Sequence, residues 1–156
     1  MVAEPGPEAV SQFVERFAGV LANSGVPTMS ARVMGAMLVS PTGTMTAAEL
    51  AEALKISQPA VSGAVRQLLQ VSFISRERLP GSRKDHYRIR EDVFAAILER
   101  RNQALGEWES ISRSGAALFG HDSPVGTRLT EAADFFAFIH TDLEQMIKNW
   151  RAEHSQ

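Results

Sequence analysis

The segment Leu50–Leu68, LAEALKISQPAVSGAVRQL, decides the fold that we predict for this chain. Apolar residues recur every three or four positions on both sides of a break at Lys55-Ile56-Ser57, which predicts two short helices that share a buried seam. On the side of the second helix away from that seam, the residues are small: Ala60, Ser62, Gly63 and Ala64. A helix face this slim fits either the major groove of DNA or a close contact with another helix. The segment alone leaves both explanations open.

The composition of the 156 residues narrows the class of protein. Apolar residues make up 44% and charged residues 22%, which is typical of a globular protein with a core. The chain has no cysteine, which excludes disulfides, thiolate chemistry and cysteine-bound zinc. The N-terminus has no basic segment followed by an apolar one, and no apolar run is long enough to cross a bilayer. We therefore expect a cytoplasmic protein that does not contact membranes.

Catalytic and metal-binding signatures are missing from the sequence. The four histidines lie in unrelated segments, and there is no HExxH, no GxSxG and no glycine-rich phosphate loop. We therefore predict no enzymatic activity, no catalytic residues, no metal site and no cofactor.

Helix and strand signals on either side of the opening segment complete the predicted fold. Thr46 starts one helix with a capping box, Ser57 caps the next, and Pro59 fits the first turn of that second helix. Ser30 is the expected cap of an earlier helix, and His121–Gly126 is an expected loop. In order, we predict helices over about 8–23, 30–40, 47–54 and 58–70, strands over 73–78 and 86–90, and helices over about 92–118 and 127–150.

These elements predict a mainly α fold with a small β-hairpin wing, namely a winged helix-turn-helix joined to a helical dimerisation arm. We assign residues 28–91 to the winged helix-turn-helix DNA-binding domain. Residues 8–24 and 92–150 are assigned to the helical dimerisation region. Residues 1–7 and 153–156 are expected to be flexible termini.

The basic charge of the chain is concentrated in the predicted hairpin. The net charge is −2, but Arg76–Arg90 contains six basic and two acidic residues, whereas the rest of the chain from Glu91 onward contains eleven acidic and six basic ones. Such a cluster indicates a surface that can contact nucleic acid. Alternatively, the strand arginines are simply solvated, or they pair with Glu77 and Asp85.

The order of the elements, two short helices followed by a basic hairpin, favours DNA binding. The second helix would enter the major groove with its first turn toward the base edges, and the hairpin would lie beside the duplex. In this hypothesis Gln58 reads adenine, the helix start with Ser57 binds a phosphate, and Arg66 reaches the DNA backbone. The DNA-binding residues that we predict are Ser57, Gln58, Ala60, Ser62, Arg66, Arg83 and Lys84.

The stretch AELAEALKISQPAVSGAVRQLLQVSFISRERLPGSRKDHYRIR, followed by a long helix, resembles the MarR family of bacterial transcriptional regulators, nearer its actinobacterial, efflux-regulating branch. The resemblance covers about residues 13–120. It implies a homodimeric winged-helix repressor that binds a palindromic operator and is released by a lipophilic or aromatic ligand. It also implies DNA contacts by Ser57–Arg66 and by Arg83. The family's wing usually carries Asp-x-Arg, but no aspartate precedes Arg83 by two positions, so it stays open whether Arg83 or Lys84 makes the deeper contact.

The last predicted helix is apolar on more than one face, which a small domain cannot cover alone. A partner helix from a second copy is the simplest explanation, and a two-fold dimer predicts two recognition helices about 34 Å apart on palindromic double-stranded DNA. The dimerisation residues that we predict are Phe13, Phe17, Leu129, Phe136, Ile139, Leu143 and Trp150.

A site for a lipophilic or aromatic small molecule is expected where the dimer arm and the DNA-binding unit meet, because such sites form between helices. Its candidate residues are Met34, Met37, Trp108, Phe136 and His140. The alternative is that these residues are ordinary core.

The sequence supports two classes of function. The leading hypothesis is a dimeric, sequence-specific DNA-binding repressor whose affinity for its operator is tuned by a small apolar molecule. The alternative is a winged helix that serves as a protein-interaction module without specific DNA binding, with its basic wing against an acidic partner; the acidic net charge favours this alternative.

Overall fold

A computed structural model describes residues 3–155 of the chain; Met1, Val2 and Gln156, which belong to the predicted flexible termini, lie outside this range. The described residues divide into a first unit that ends at Val93 and a second unit that starts at Phe94. Their mainly helical fold with a small β wing confirms the predicted fold class. The elements are α1 Pro7–Asn23, α2 Thr28–Val39, β1 Thr44–Thr46, α3 Ala47–Leu54, α4 Gln58–Gln70, β2 Ile74–Arg78, β3 Asp85–Ile89, α5 Val93–Phe119 and α6 Pro124–His154.

Helix α2 lies at the centre of the first unit. Its side chains Val33, Met34 and Met37 have no exposed surface. Helix α1 packs against α2 so closely that a side chain at Gly35 would meet the backbone oxygen of Val14 at 3.2 Å. Thus α1, which the sequence analysis placed with the dimerisation region, belongs to the first unit.

Three helices of the first unit end in the same way, with one residue in the left-handed conformation. That residue is Gly25 after α1, Lys55 after α3 and Ser72 after α4, with φ angles of 97°, 54° and 60°. In each case the next amide donates a hydrogen bond to the carbonyl five residues earlier, as Ile56 does to Ala51 at 3.1 Å. Glycine adopts this conformation most easily. The corner between α3 and α4 is therefore made by Lys55 without glycine.

The sheet has the strand order β1-β3-β2, and both strand pairs are antiparallel. Strands β2 and β3 form the predicted hairpin, but β1 was not predicted. β1 has only three residues, and its last one, Thr46, also caps α3. Pairing of Thr46 with His86 of β3 holds this strand in place. A strand this short shows no alternation in the sequence.

Helices α5 and α6 run side by side in opposite directions in the second unit. Leu129 of α6 lies against Gly115 of α5, and the His140 ring lies against Gly106. The side chain of Asn102 donates a hydrogen bond to the backbone oxygen of His140 at 3.1 Å, and the Nδ1 atom of His140 lies 2.9 Å from the backbone oxygen of Asn102. These contacts hold the two helices together as a hairpin.

Two predicted helix starts were wrong. Helix α2 begins at Thr28, so Ser30 lies inside it and does not cap it. The predicted loop His121–Gly126 is too long, because Ser123 caps α6 by accepting the Gly126 amide at 2.9 Å and Pro124 is the first helical residue. None of the helices in residues 3–155 is both long enough and apolar enough to cross a membrane.

Candidate nucleic-acid interface

Hydrogen bonds of side chains to nearby backbone amides define the starts of α3 and α4. The Glu49 carboxylate accepts the Thr46 amide at 2.7 Å, and the Thr46 hydroxyl accepts the Glu49 amide at 3.2 Å, which confirms the predicted capping box. The Ser57 hydroxyl accepts the Ala60 amide at 3.3 Å and caps α4 as predicted. The helix-turn-helix therefore forms as the sequence indicates.

Helix α4 has one buried and one open face. Its buried face consists of Val61, Ala64, Val65 and Leu68, and its open face consists of Gln58, Pro59, Ser62, Gly63 and Arg66. Ala64 thus belongs to the core, which corrects its assignment to the small outer face, and Ala60 is half-buried. The predicted contact residues Ser57, Gln58, Ser62 and Arg66 are exposed.

Gly63 distinguishes between the two explanations for the slim face. Apart from Gly63 itself, its two chain neighbours and the adjoining backbone of α4, no atom of residues 3–155 lies within 4 Å of the position that a side-chain Cβ would occupy at Gly63. Close packing against another helix of the described chain therefore does not account for this glycine. The face is open to an external partner.

A buried hydrogen bond ties α4 to α2. The Ser30 hydroxyl, on a residue that is 1% exposed, donates to the side-chain oxygen of Gln67 at 2.7 Å. The sequence analysis did not identify either residue as part of the site, because the two are far apart in the chain. Together with the buried face of α4, this bond contributes to the orientation of α4 against α2 and hence to the direction of its open face.

Most of the basic charge in the wing is paired. Both Arg76 and Arg78 lie within 4 Å of the Asp85 carboxylate, at 3.7 Å and 3.6 Å. Arg88 binds Glu77 at 2.9 Å, and Arg90 binds Asp92 at 2.6 Å. In residues 3–155 neither Arg83 nor Lys84 forms an ion pair, and both are exposed at the wing tip. The available positive charge of the wing is therefore concentrated on these two predicted contact residues.

The wing tip is a turn over Leu79–Ser82. The Ser82 amide donates to the carbonyl of Leu79 at 3.1 Å, and Gly81 has a φ angle of 79°, as the third residue of a type II turn requires. The Ser82 hydroxyl accepts the Lys84 amide at 3.2 Å and lies 3.1 Å from Nε2 of His86. The roles of Ser82 and His86 were not predicted, although Pro80-Gly81 followed by serine is typical of a turn.

The residues predicted to bind a small molecule are divided between the two units. Met34 and Met37 have no exposed surface in the first unit. In the second unit, the rings of Trp108 and Phe136 are in edge contact, with centroids 5.2 Å apart, and His140 is bound to Asn102 as described above.

The residues predicted to form the dimer contact are also divided. Phe13 and Phe17 stack on each other in the first unit, with centroids 5.9 Å apart. In the second unit Trp150 is exposed, and four residues are half-buried: Leu129, Phe136, Ile139 and Leu143.

The second unit has many large apolar side chains on its surface. Ten of them are between 42% and 79% exposed: Phe94, Leu98, Trp108, Ile111, Leu118, Phe119, Phe135, Phe138, Met146 and Trp150. Where such side chains form a contiguous surface, they are typical of an interaction site. Leu118 and Phe119 were not predicted to be exposed, because the sequence does not show which residues surround the end of α5.

Two family models match the chain. The model of the MarR family matches residues 24–85, and the model of the MmpR5-like MarR family transcriptional regulator matches residues 92–153. The first match covers the helix-turn-helix and much of the wing, and the second covers nearly all of the α5–α6 hairpin. The two parts of the chain are therefore assigned to the same family independently.

Individual proteins agree with this assignment. The HTH-type transcriptional regulator MmpR5 of Mycobacterium tuberculosis is 29% identical over 157 residues, which cover 100% of this chain and 91% of MmpR5. YvaV of Bacillus subtilis is 30% identical over 91 residues, or 58% of this chain and 51% of YvaV. A crystal structure of a transcriptional regulator is similar with a TM-score of 0.72 at 27% identity, covering 92% of this chain and 99% of that one. With its helix-turn-helix and wing, the chain belongs to the MarR family of transcriptional regulators, which are DNA-binding proteins and not enzymes.

Proposed function

We propose that this protein is a homodimeric repressor that binds a palindromic operator through α4 and the wing tip and is released by a small apolar molecule. The observation that supports this DNA-binding surface is the open face of α4, where no other part of residues 3–155 covers Gly63. A glycine inside a helix costs roughly 1 kcal/mol relative to alanine. A partner that needs close approach to the helix, such as the major groove, explains why this position is not filled.

Each part of this surface has a role in the proposed complex. Gln58, in the first turn of α4, reads adenine, and Ser62, one turn later, contacts a base or a phosphate. The Ser57 cap and the first amides of α4 bind a phosphate. Arg66 reaches the DNA backbone, and Arg83 and Lys84 of the wing tip contact the duplex beside the groove.

The exposed apolar surface of the second unit supports the proposed dimer. Regulators of this family bind DNA and act as dimers. A two-fold dimer carries two copies of α4, so that its site is an inverted repeat with half-sites about 34 Å apart.

The decisive experiment is selection of bound duplexes from a random library, followed by titration of the selected site and of a scrambled duplex at physiological salt. We expect an inverted repeat and an affinity for it at least about 1,000-fold above that for the scrambled duplex. Equal affinity for both would contradict a specific repressor and would favour the alternative of a module that binds an acidic protein.

Salt dependence tests the role of the wing tip. Replacing both Arg83 and Lys84 by alanine removes two phosphate contacts, so the slope of log affinity against log salt concentration becomes shallower by about 2. The control is replacement of Arg76 and Arg78 by alanine. It removes the same charge, but from side chains that already pair with Asp85. An equal change of slope in both variants would show that the effect is one of net charge alone.

For the small molecule, a groove in the first unit is a further candidate site beside the aromatic residues of the second unit. It has a volume of about 490 Å³ and is lined mainly by apolar side chains of α1, α2, β1 and α3. Leu54, which ends α3, lies in its wall, and the backbone oxygen of Leu54 accepts a hydrogen bond from Arg32 at 3.1 Å. A ligand here would press on the end of the first helix of the helix-turn-helix.

A groove-filling variant tests this site. The neutral apolar dye N-phenyl-1-naphthylamine serves as the probe, because its fluorescence rises in an apolar site. We expect Ala53→Phe, in the groove wall, to weaken dye binding by about tenfold, whereas Ala48→Phe on the same helix but outside the groove leaves it unchanged. If Trp108→Ala abolishes dye binding and Ala53→Phe does not, the site lies in the second unit.

A further inference from the structure

Two adjacent cations, Arg83 and Lys84, occupy the wing tip, and within the described residues a side chain holds the backbone of Lys84 but not that of Arg83. The Lys84 amide donates to the Ser82 hydroxyl at 3.2 Å. The same hydroxyl lies 3.1 Å from Nε2 of His86, and the Ser82 amide donates to the carbonyl of Leu79. Ser82 is therefore attached both to the turn and to the strand that follows it.

His86 connects this contact to the rigid part of the wing. It lies on β3, the central strand, where it is paired with Thr46 on one side and Glu77 on the other. A residue paired on both sides has a fixed backbone position. Ser82 is thus anchored to the most constrained strand of the sheet.

The Lys84 amide, the Ser82 hydroxyl and the His86 ring are connected through the Ser82 oxygen. A hydroxyl donates one hydrogen bond and accepts two. The Ser82 oxygen accepts the Lys84 amide and at the same time lies within hydrogen-bond distance of Nε2 of His86, so one hydroxyl links both groups. These contacts join the Lys84 amide, the Ser82 hydroxyl and the His86 ring in one chain and restrict the rotamer of Ser82.

We infer that Ser82 and His86 are positioning residues that present Lys84, rather than Arg83, as the ordered wing contact to DNA. This inference rests on the DNA binding proposed above. A contact whose backbone is already held loses less conformational freedom on binding, so more of its interaction energy appears as affinity. Arg83 lies between the two bonded residues; within residues 3–155 neither cation's side chain is hydrogen-bonded, but the Lys84 amide is held by Ser82 whereas the Arg83 amide has no such bond.

A double-mutant cycle on the selected operator tests the assignment. We expect Lys84→Ala to weaken binding about tenfold and Ser82→Ala, which removes one hydrogen bond, to weaken it about fivefold. In the Lys84→Ala background Ser82→Ala has no further effect, whereas its effect persists in full in the Arg83→Ala background. A larger loss for Arg83→Ala than for Lys84→Ala, or equal coupling of Ser82 to both cations, overturns the assignment.

Two further variants separate positioning from general stability of the wing. Ser82→Asn keeps a side-chain acceptor two residues before Lys84, so it restores most of the affinity that Ser82→Ala loses. The matched control is Ser75→Ala on β2, which removes an exposed serine hydroxyl from the same wing and leaves affinity unchanged. Failure of Ser82→Asn to restore binding contradicts the role of the acceptor.

Hydrogen exchange of the free protein distinguishes failure of this inference from failure of the proposed function. The Lys84 amide exchanges slowly in the unmodified protein, and both Ser82→Ala and His86→Ala speed its exchange at least about fivefold. If the Lys84 amide is protected in this way but no duplex binds specifically, the proposed function is wrong and the positioning of the wing tip stands. If the Lys84 amide is unprotected, the inference is wrong even when the protein binds a duplex specifically.

Discussion

Glycines in two helices of this protein serve opposite purposes. At Gly63, in α4, no part of residues 3–155 beyond the adjoining backbone of α4 lies within 4 Å of the place of a missing side chain. At Gly126, in α6, an added Cβ would overlap the carbonyl oxygen of Gly120. Gly63 lies in the interior of α4, where glycine lowers helix propensity, and Gly126 lies in the first turn of α6. The glycine of the second unit makes room for the protein's own backbone, whereas that of the first unit leaves room for something outside it.

The surfaces around these glycines differ in the same way. The first unit has small and polar groups on α4 and two unpaired cations on the wing tip, which match an anionic duplex. The second unit has large apolar side chains on its surface, which match another apolar surface. The partner expected at each surface follows from this chemistry: DNA for the first unit and a second copy of the chain for the second.

The largest effect is expected at the apolar surface of the second unit. Phe138→Glu places a charge in the proposed dimer contact twice, once per copy, so dimerisation weakens by about 4 kcal/mol. Sedimentation equilibrium measures this change. Leu79→Glu, an exposed apolar residue of the wing, is the control and leaves the dimer intact. A dimer that survives Phe138→Glu would exclude this surface as the contact.

Gly126→Ala tests the glycine that the chain itself surrounds. We expect the free energy of unfolding to fall by about 3 kcal/mol, because the backbone near Gly120 must move. Urea denaturation followed by tryptophan fluorescence suits this measurement, because both tryptophans, Trp108 and Trp150, lie in the second unit. Gly115→Ala, which meets only the end of the Leu129 side chain, should cost less. Equal stability of Gly126→Ala and the unmodified protein would contradict the account that Gly126 makes room for the backbone of Gly120.

Gly63→Arg tests the open glycine. The operator affinity should fall at least about 100-fold, or roughly 2.7 kcal/mol, because the bulky side chain keeps α4 out of the groove despite its added charge. Folding stability should not fall, since the position is open. Gly19→Arg is the matched control, because Gly19 is also exposed, helical and open, but lies in α1. Unchanged operator binding by Gly63→Arg would show that the open face is not the DNA contact.

The smallest effect is expected at Lys55, which is not a glycine although its backbone has the left-handed conformation that favours glycine. Lys55→Gly should raise the free energy of unfolding by about 0.5 kcal/mol, since relief of the left-handed strain exceeds the entropy that glycine adds to the unfolded chain. Ser72→Gly, with the same conformation at the end of α4, should do the same. Thermal denaturation of both variants measures the effect, and a loss of stability in both would contradict this account of the helix ends.

The sequence by itself determined the local features of the fold. The capping box of Thr46, the Ser57 cap and the hairpin were all predictable, because the groups that interact lie within a few residues of one another. The family resemblance came from the same local segments, and the matching models confirm it.

Only the tertiary structure decided which of the predicted groups are available to a partner. It placed Ala64 in the core, left Gly63 open and paired the strand arginines, so that among the described residues Arg83 and Lys84 remain as the cations of the wing tip without an ion pair. It also added β1 and the bond between Ser30 and Gln67. The physical reason is that each of these outcomes depends on residues distant in the chain meeting in space, which periodicity and capping signals do not encode.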